Sequence, residues 1–403
     1  MKDDLKSYVF DLPVPELRRG YRSDIYFWRE KIALEEHNVH PEVLMQVFQK
    51  KDAVICGVSE ALSVLKLGTG RYKDYEKSYK LFDQYIEAKK EARKYFLTDK
   101  KKYLEQIDLK IKISEELDSL WVSEFDNLDI IGLKDGDLIS PWESVMHIKG
   151  EVTSFAHLET VYLGILARRT KIATNVRKVV EAAGNVPVLF FPARFDHWAA
   201  QGGDGYAAYV GGAAGVSTLA QGEWWGAGAS GTVPHAMIAS VEGDTARSAR
   251  LFNDSYPDTN LIALVDFHND CTKTAVECAR ALGDKLWGVR LDTSEKMVDK
   301  AVYDKMGTFT PNGVIPELVF MTREALDKAG FPNVKISVSG GFTPEKIKMF
   351  IDRKVPVDSF GVGSCLFEGN YDYTADIVMV NGKPMAKAGR KYSPNPRLNK
   401  VTI

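Results

Sequence analysis

Cysteine is scarce in this chain: Cys56, Cys271, Cys278 and Cys365 are the only four among 403 residues, and no two form a Cys-x-x-Cys pair. That spacing argues against a disulfide framework and against a structural zinc site. Cys271 and Cys278 can share one helix, where two thiols read as small buried hydrophobes. Long apolar runs are missing as well, since none approaches the roughly 20 residues that cross a bilayer. No apolar h-region follows Met1-Lys2-Asp3-Asp4-Leu5-Lys6, so a cytoplasmic protein in a reducing compartment is expected. Nor is there an excess of one charge: 53 Lys and Arg face 55 Asp and Glu, for a net charge of -2. A general nucleic-acid binder would need a basic surplus to neutralise phosphates. A small anion is not excluded, because a local pocket of Arg and backbone N–H groups can bind phosphate in a near-neutral protein. Internal repeats and low-complexity tracts are absent.

What is present is 45% hydrophobic and 27% charged residues, the balance of a globular chain with a sizeable core. The length suits two domains. Up to about residue 150 the sequence is charged and mostly helical. Residues 73–117 lack Pro and Gly and are rich in Lys, Glu, Leu and Tyr, which predicts long surface helices. Asp99-Lys100-Lys101-Lys102 within them reads as a solvated face or turn. Residues 51–70 read as an apolar helix closed by Gly-Thr-Gly, and residues 138–148 as strands meeting a turn. A long amphipathic helix over about 154–183 is expected to end at Gly184. The tail from about 371 carries Asn381-Gly382, a hairpin signal, and should pack back on the N-terminal part. The reading is therefore a split α+β domain of 1–150 completed by 370–403, beside an α/β domain of 151–369.

Within the latter, short apolar runs alternate with helical stretches: 187–191, 261–265, 286–291, 334–338 and 357–362. Buried runs alternating with helices imply a parallel α/β sheet, here an irregular α/β barrel. Each run ends in polar or Gly residues: Arg194, Asp266, Asp292, Ser339-Gly340-Gly341 and Gly363-Ser364. Strand C-termini are where such a barrel keeps its active site.

Ser339-Gly340-Gly341-Phe342-Thr343-Pro344 runs from a strand into a helix with Thr343 as N-cap. Its open N–H groups can cradle a phosphate, and Gly361-Val362-Gly363-Ser364 repeats the arrangement one strand later. His235, directly after a short strand expected at Gly231-Thr232 and before a helix, is either a capping or core histidine or a site residue that accepts a phosphoryl group. Asp266 and Asp292 suit ribose hydroxyls or the Mg²⁺ carried by a pyrophosphate. Arg290 and Arg194 would supply the cations that a pyrophosphate or carboxylate needs. Any one of these four could be a structural ion pair, but all end predicted strands. Tyr21-Arg22-Ser23-Asp24-Ile25-Tyr26-Phe27 opens a helix with Ser23 or Asp24 as N-cap. Its aromatics read as a core helix or as a platform for a flat ring. By pattern alone Arg168-Arg169 is a solvated helix face.

Together these motifs resemble the nicotinate phosphoribosyltransferase family within the type II phosphoribosyltransferases. The resemblance runs from Tyr21 to the tail and includes Asp204-Gly205-Tyr206-Ala207-Ala208-Tyr209 and Arg290-Leu291-Asp292-Thr293. It implies a homodimer with shared active sites and a reaction joining nicotinate to 5-phosphoribosyl 1-pyrophosphate, in NAD biosynthesis. Mg²⁺ would accompany the pyrophosphate, and ATP would be a co-substrate. His235 would be the phosphorylated histidine, and Arg194, Asp266, Arg290 and Asp292 would surround the ribose and pyrophosphate. Tyr21 of the neighbouring chain would stack on the pyridine, with Asp24, Phe27, Arg169, Ser217 and Thr232 contacting substrate. Ser339, Gly340, Gly341, Gly361, Gly363 and Ser364 would hold the 5′-phosphate. Two departures stand out: Asp292-Thr293-Ser294 replaces Asp-Ser-Gly, and Arg194-Phe195 has one arginine where two adjacent ones are usual.

The related nicotinamide enzymes carry Asp in a Gly-Thr-Asp-Thr stretch, matched here by Gly215-Val216-Ser217-Thr218. A carboxylate is repelled by Asp and tolerated by Ser, so nicotinate is the expected base. The alternatives are a nicotinamide or quinolinate enzyme, a non-catalytic phosphosugar binder using the two Gly loops, or a regulatory subunit.

Overall fold

The computed structural model describes residues 7–401, so the expectation read from Met1–Lys6 lies outside the described residues. The chain divides into two units, one running to Thr170 and resuming at Asn370, the other spanning Lys171–Gly369. No described helix is long and apolar enough to cross a membrane.

In the first unit the centre is a six-stranded sheet in the order Lys383–Pro384, Tyr373–Val380, Glu42–Gln49, Ser144–Glu151, Asp129–Gly132 and Asn399–Lys400. The tail thus supplies a long strand antiparallel to Glu42–Gln49, with Val43 opposite Val380. Asn381 and Gly382 both take positive φ, 48° and 72°, as the two-residue turn into Lys383–Pro384 requires. Val47, Met146 and Ile148 of these strands are buried in one core with Ile55, Leu65 and Phe155. Residues 51–70 do not form one helix: Ala53–Val54 is a short strand, and the helix covers Val58–Gly68. Gly57, at φ 96°, makes the bend between them.

The stretch over 73–117 becomes two helices, Tyr75–Tyr95 and Lys100–Leu120. Asp74 caps the first by accepting from Lys77 N at 2.9 Å, and Asp99 caps the second by accepting from Lys102 N at 3.1 Å. The acidic head of the charge run is therefore a helix start, worth about 1 kcal/mol. Leu81, Phe82, Tyr85, Ile113 and Leu117 pack between the two helices against Tyr72 and Trp121.

The Tyr21 motif leads into the helix Ile25–Glu36. Trp28 and Lys31 are buried while Tyr21, Ile25 and Tyr26 face outward. Lys31 can be buried because its three protons find Glu35 Oε1 at 2.8 Å and the carbonyls of Gly70 and Thr153 at 2.9 and 2.6 Å. Asp24 holds the N-cap position but its side chain makes no cap bond. It accepts instead from Thr160 Oγ1 at 2.9 Å. The long helix expected over 154–183 is interrupted: Val152–Phe155, a 3-10 turn at Ala156–Leu158, then Glu159–Ala183. Gly184 follows with φ 59°.

The second unit holds a six-stranded parallel sheet in the order Leu261–Leu264, Leu286–Leu291, Lys335–Val338, Ser359–Val362, Val188–Phe190 and Gly215–Val216. The order returns to the unit's first strands after its last, as a curling sheet must. Val216 bridges in parallel to Ala229, and Val233 N donates to Ile262 O at 3.2 Å, so backbone bonds lead from the last strand back to the first. The result is an irregular α/β barrel. Helices Gln201–Gly211, Thr245–Ser255, Cys271–Leu282, Pro316–Lys328 and Pro344–Asp352 alternate with the strands. Cys271 and Cys278 are buried side chains of one of them, and burial pushes the Cys278 thiol up to about 12. The expected Gly-Thr strand before His235 does not form. Residues 231–234 are irregular, and His235 is the first residue of the helix His235–Ser240.

Candidate active site

At the C-terminal ends of the parallel strands the second unit opens into a cleft of about 530 Å³. Of the residues singled out from sequence it gathers Arg194, Ser217, Thr232, His235, Arg290 and Asp292, with Ser339 and Ser364 and the glycines 340, 341, 361 and 363.

Arg290 is the last residue but one of the Leu286–Leu291 strand and is held on three sides. Its Nε donates to Ser339 Oγ at 2.7 Å, Nη1 to Thr232 Oγ1 at 3.2 Å, and Nη2 pairs with Asp292 Oδ2 at 3.2 Å. Ser339 is itself buried and donates to Asp292 Oδ1 at 2.6 Å. Four side chains, three from two strand ends and Thr232 from the irregular segment before His235, thus form one network, in which each charged group has a counter-charge and neutral donors or acceptors. The Phe191 ring lies 5.6 Å from the Arg290 guanidinium and completes its cage.

His235 Nε2 lies 3.0 Å from both oxygens of Asp266. An ionised carboxylate can only accept, so Nε2 carries a proton, and in the neutral imidazole Nδ1 keeps the lone pair. Asp266 does not line the cleft surface itself. Burial raises its pKa, His235 lowers it, and the charge of Asp292 raises it again. One donor atom each from His235, Asp266 and Asp292 lies within 4.8 Å of the others, a spacing that suits a cation.

Both Gly loops are shaped by what surrounds them. Gly340 and Gly341 take φ of 86° and 65° in succession, a path that side chains other than glycine rarely follow. The chain then enters the helix Pro344–Asp352, where Thr343 Oγ1 accepts from Lys346 N at 3.3 Å. Lys346 Nζ is 3.4 Å from Gly340 O, and burial lowers its pKa while Glu295 raises it. At Gly361 and Gly363 the reason is close approach. A Cβ on Gly361 would fall 2.8 Å from the Phe191 ring, and one on Gly363 would fall 2.7 Å from the Phe195 ring.

Facing this network is a looser wall. Arg194 is exposed at the 3-10 turn Ala193–Phe195, with its guanidinium 5.4 Å over Phe195. Ser217 follows the short Gly215–Val216 strand, and its hydroxyl is 3.2 Å from Gln221 Oε1.

Four singled-out residues lie in the first unit. Tyr21 is exposed beside Phe82 at 5.4 Å, Phe27 packs on Tyr26 at 4.3 Å, and Asp24 is bonded to Thr160. Arg169 is not on a solvated helix face. It is buried and pairs with Glu60 through Nε at 2.8 Å and Nη2 at 3.2 Å, a fork geometry that favours arginine.

Phe191, Phe195, Gln221 and Glu295 were not singled out from sequence. For Gln221 a signal existed: Thr218-Leu219-Ala220-Gln221 spells a capping box, and the helix Leu219–Gly222 has one. For Phe191, Phe195 and Glu295 there was none, since they matter through glycines distant in sequence.

No family model matches the chain. It is 32% identical over 282 residues to a Mycobacterium tuberculosis protein, nicotinate phosphoribosyltransferase pncB1, a match covering 67% of this chain and 58% of that relative. The chain thus spans less than two thirds of that relative's length. The crystal structure of nicotinate-nucleotide pyrophosphorylase from Pyrococcus furiosus is similar at a TM-score of 0.70 and 30% identity, over 94% of this chain and 80% of that one. Human nicotinic acid phosphoribosyltransferase shares the fold at a TM-score of 0.63 and 16% identity, over 92% of this chain and 77% of that one. With ordered motifs from Tyr21 to Ser364 on the same fold, the chain belongs to the nicotinate phosphoribosyltransferase family, within the type II phosphoribosyltransferases.

Proposed function

We propose that this protein joins nicotinate to 5-phosphoribosyl 1-pyrophosphate, forming nicotinate mononucleotide and pyrophosphate, a step of NAD biosynthesis. The observation that carries the reading is the cleft itself, where two glycine loops suited to a phosphate face Arg290, Asp292 and His235 across one strand-end surface. A phosphosugar binder needs the loops alone. The arginine–carboxylate network adds what a departing pyrophosphate needs.

Loss of pyrophosphate from the ribose C1 leaves an oxocarbenium-like centre, and the pyridine nitrogen attacks it. That nitrogen carries no proton, so no general base is required. Preorganised charge and alignment are. Arg290, already fixed by Ser339, Thr232 and Asp292, presents its cation without reorganising. The Gly340-Gly341 and Gly361–Gly363 loops would take the 5′-phosphate with Ser339 and Ser364. Phe191 offers a flat face for the ring, and Arg194 is placed to meet its carboxylate.

The carboxylates of Asp266 and Asp292 fit a hard cation that prefers oxygen ligands. They would hold the Mg²⁺ that accompanies pyrophosphate, which supplies positive charge to the leaving group. ATP enters through His235, whose free Nδ1 is the nucleophile. The Nδ1–phosphorus bond forms as the bond to ADP breaks, and Asp266 holds the imidazole by Nε2. A homodimer, with Tyr21, Asp24 and Phe27 of one chain supplied to the cleft of its neighbour, completes the reading. So does a cytoplasmic location.

The test mixes purified protein with phosphoribosyl pyrophosphate, Mg²⁺ and nicotinate or nicotinamide, with and without ATP, and follows mononucleotide and pyrophosphate. Product from nicotinate, stimulated by ATP in the unaltered chain but not in His235→Ala, is expected. Product from nicotinamide alone would overturn the choice of base, and no product from either would leave a phosphate binder.

A further inference from the structure

If the base is nicotinate, its carboxylate can only accept and needs a donor in the cleft, whereas an amide also brings donors of its own. We infer that Gln221 is a positioning residue for this discrimination, holding Ser217 so that its hydroxyl hydrogen is free to leave for the substrate carboxylate. The inference rests on the proposed activity and concerns a residue that lies behind the cleft.

Three donors converge on the Gln221 side-chain oxygen: Ser217 N at 3.1 Å, Thr218 N at 3.2 Å and Ser217 Oγ at 3.2 Å. A carbonyl oxygen has two lone pairs, and the two backbone N–H groups suffice to fill them. The hydroxyl is the surplus donor and also the only rotatable one. It can turn toward the cleft while Gln221 stays satisfied, so its release costs little.

Gln221 cannot follow the hydroxyl. It is buried. Its backbone N–H donates to Thr218 Oγ1 at 3.2 Å, and its backbone carbonyl accepts from Trp225 Nε1 at 2.9 Å. Thr218 Oγ1 in turn donates to Gln201 Oε1 at 3.0 Å. A Cβ on Gly205 would fall 1.9 Å from the Gln221 carbonyl oxygen, so the helix Gln201–Gly211 packs directly on this backbone. The anchor is rigid and neutral, and Ser217, which lines the cleft as Arg194 does, is the adjustable part.

Neutrality decides which base is served. A carboxylate takes the released hydrogen. With a charged acceptor in place of Gln221 the hydroxyl would be gripped about twice as strongly, turning its lone pairs toward the cleft. Those would repel a carboxylate and accept from an amide.

The experiment measures kcat and KM for nicotinate and nicotinamide in the unaltered protein, Gln221→Glu, Ser217→Ala and the double variant, with melting temperatures. Gln221→Glu is expected to raise the KM for nicotinate about 10-fold, with little change in KM for phosphoribosyl pyrophosphate, and so to lower selectivity for nicotinate over nicotinamide. Ser217→Ala should lower it too, and in that background Gln221→Glu should add little. Unchanged selectivity in Gln221→Glu, or an equal drop in both backgrounds, would overturn the inference and leave the activity standing. If Gln221→Glu loses cooperative melting, Ser217→Ala decides alone, and selectivity unchanged there would overturn it. No turnover by the unaltered protein with either base removes the activity and the inference together.

Discussion

On one wall of the cleft Arg290 spends its donors on Ser339, Thr232 and Asp292, and Ser339 closes the ring by donating to Asp292. On the other, Arg194 is exposed over Phe195, and Ser217 holds a hydrogen bond that its partner does not need. Apart from Thr232, the first wall belongs to strand ends inside the parallel sheet, where the backbone is fixed on both sides. The second sits on short turns, after Val188–Phe190 and after Gly215–Val216, the latter an edge strand of only two residues. The difference matches the two tasks assigned to them. Charge that stabilises a transition state works best when it does not move. Recognition of a variable base tolerates, and here uses, a group that turns.

Breaking the rigid wall should cost most. Asp292→Ala leaves Arg290 and Ser339 without their shared acceptor. A fall in kcat/KM for nicotinate mononucleotide formation of about 100-fold or more is expected, with both substrates affected. A loss confined to the KM for nicotinate would contradict the assignment of the two walls.

On the adjustable wall, Arg194→Ala should raise the KM for nicotinate about 10-fold with a smaller change for phosphoribosyl pyrophosphate. Steady-state kinetics with each substrate varied in turn would show the split. Gly361→Ala sharpens the comparison by pushing Phe191, which touches the rigid wall. A several-fold rise in the KM for phosphoribosyl pyrophosphate is expected, on the order of 1 kcal/mol of lost fit. Isothermal titration with phosphoribosyl pyrophosphate would reveal it without turnover.

The smallest effect concerns stability. Burial raises the pKa of Asp266 above its ordinary value, with His235 opposing. Between the ordinary and raised values the folded state binds more protons than the unfolded one. Stability therefore falls as pH rises through that window and does not recover above it. Asp266→Asn removes the buried charge. It should melt slightly higher than the unaltered protein at neutral pH, by roughly 2 °C, and by less at pH 4, while losing stimulation by ATP. A lower melting temperature at neutral pH would show that the bond to His235 outweighs the desolvation.

Much was legible from local signals. The cap at Thr343, the Asn381-Gly382 turn and the stop at Gly184 each depend on groups within a few residues of one another. The alternation of apolar runs with helices revealed the parallel sheet, because a strand buried on both faces must be apolar along its length. Its edge strand Gly215–Val216 escaped notice, since two residues carry no period. Residues 51–70 read as one helix because the strand Ala53–Val54 and the helix Val58–Gly68 are both apolar and both buried.

By itself the sequence determined which residue types would stand at the strand ends, because strand length and turn chemistry are local. It also determined that two successive glycines would open the chain at 340 and 341. Only the tertiary structure decided their partners. Arg290 meets Thr232 across 58 residues and Ser339 across 49, and Arg169 meets Glu60 across 109. Gly361 and Gly363 are glycines because Phe191 and Phe195 arrive from a strand far earlier in the chain. Such choices depend on which surfaces the closing sheet brings within a few ångströms, and no periodicity along one strand encodes its neighbour across the barrel.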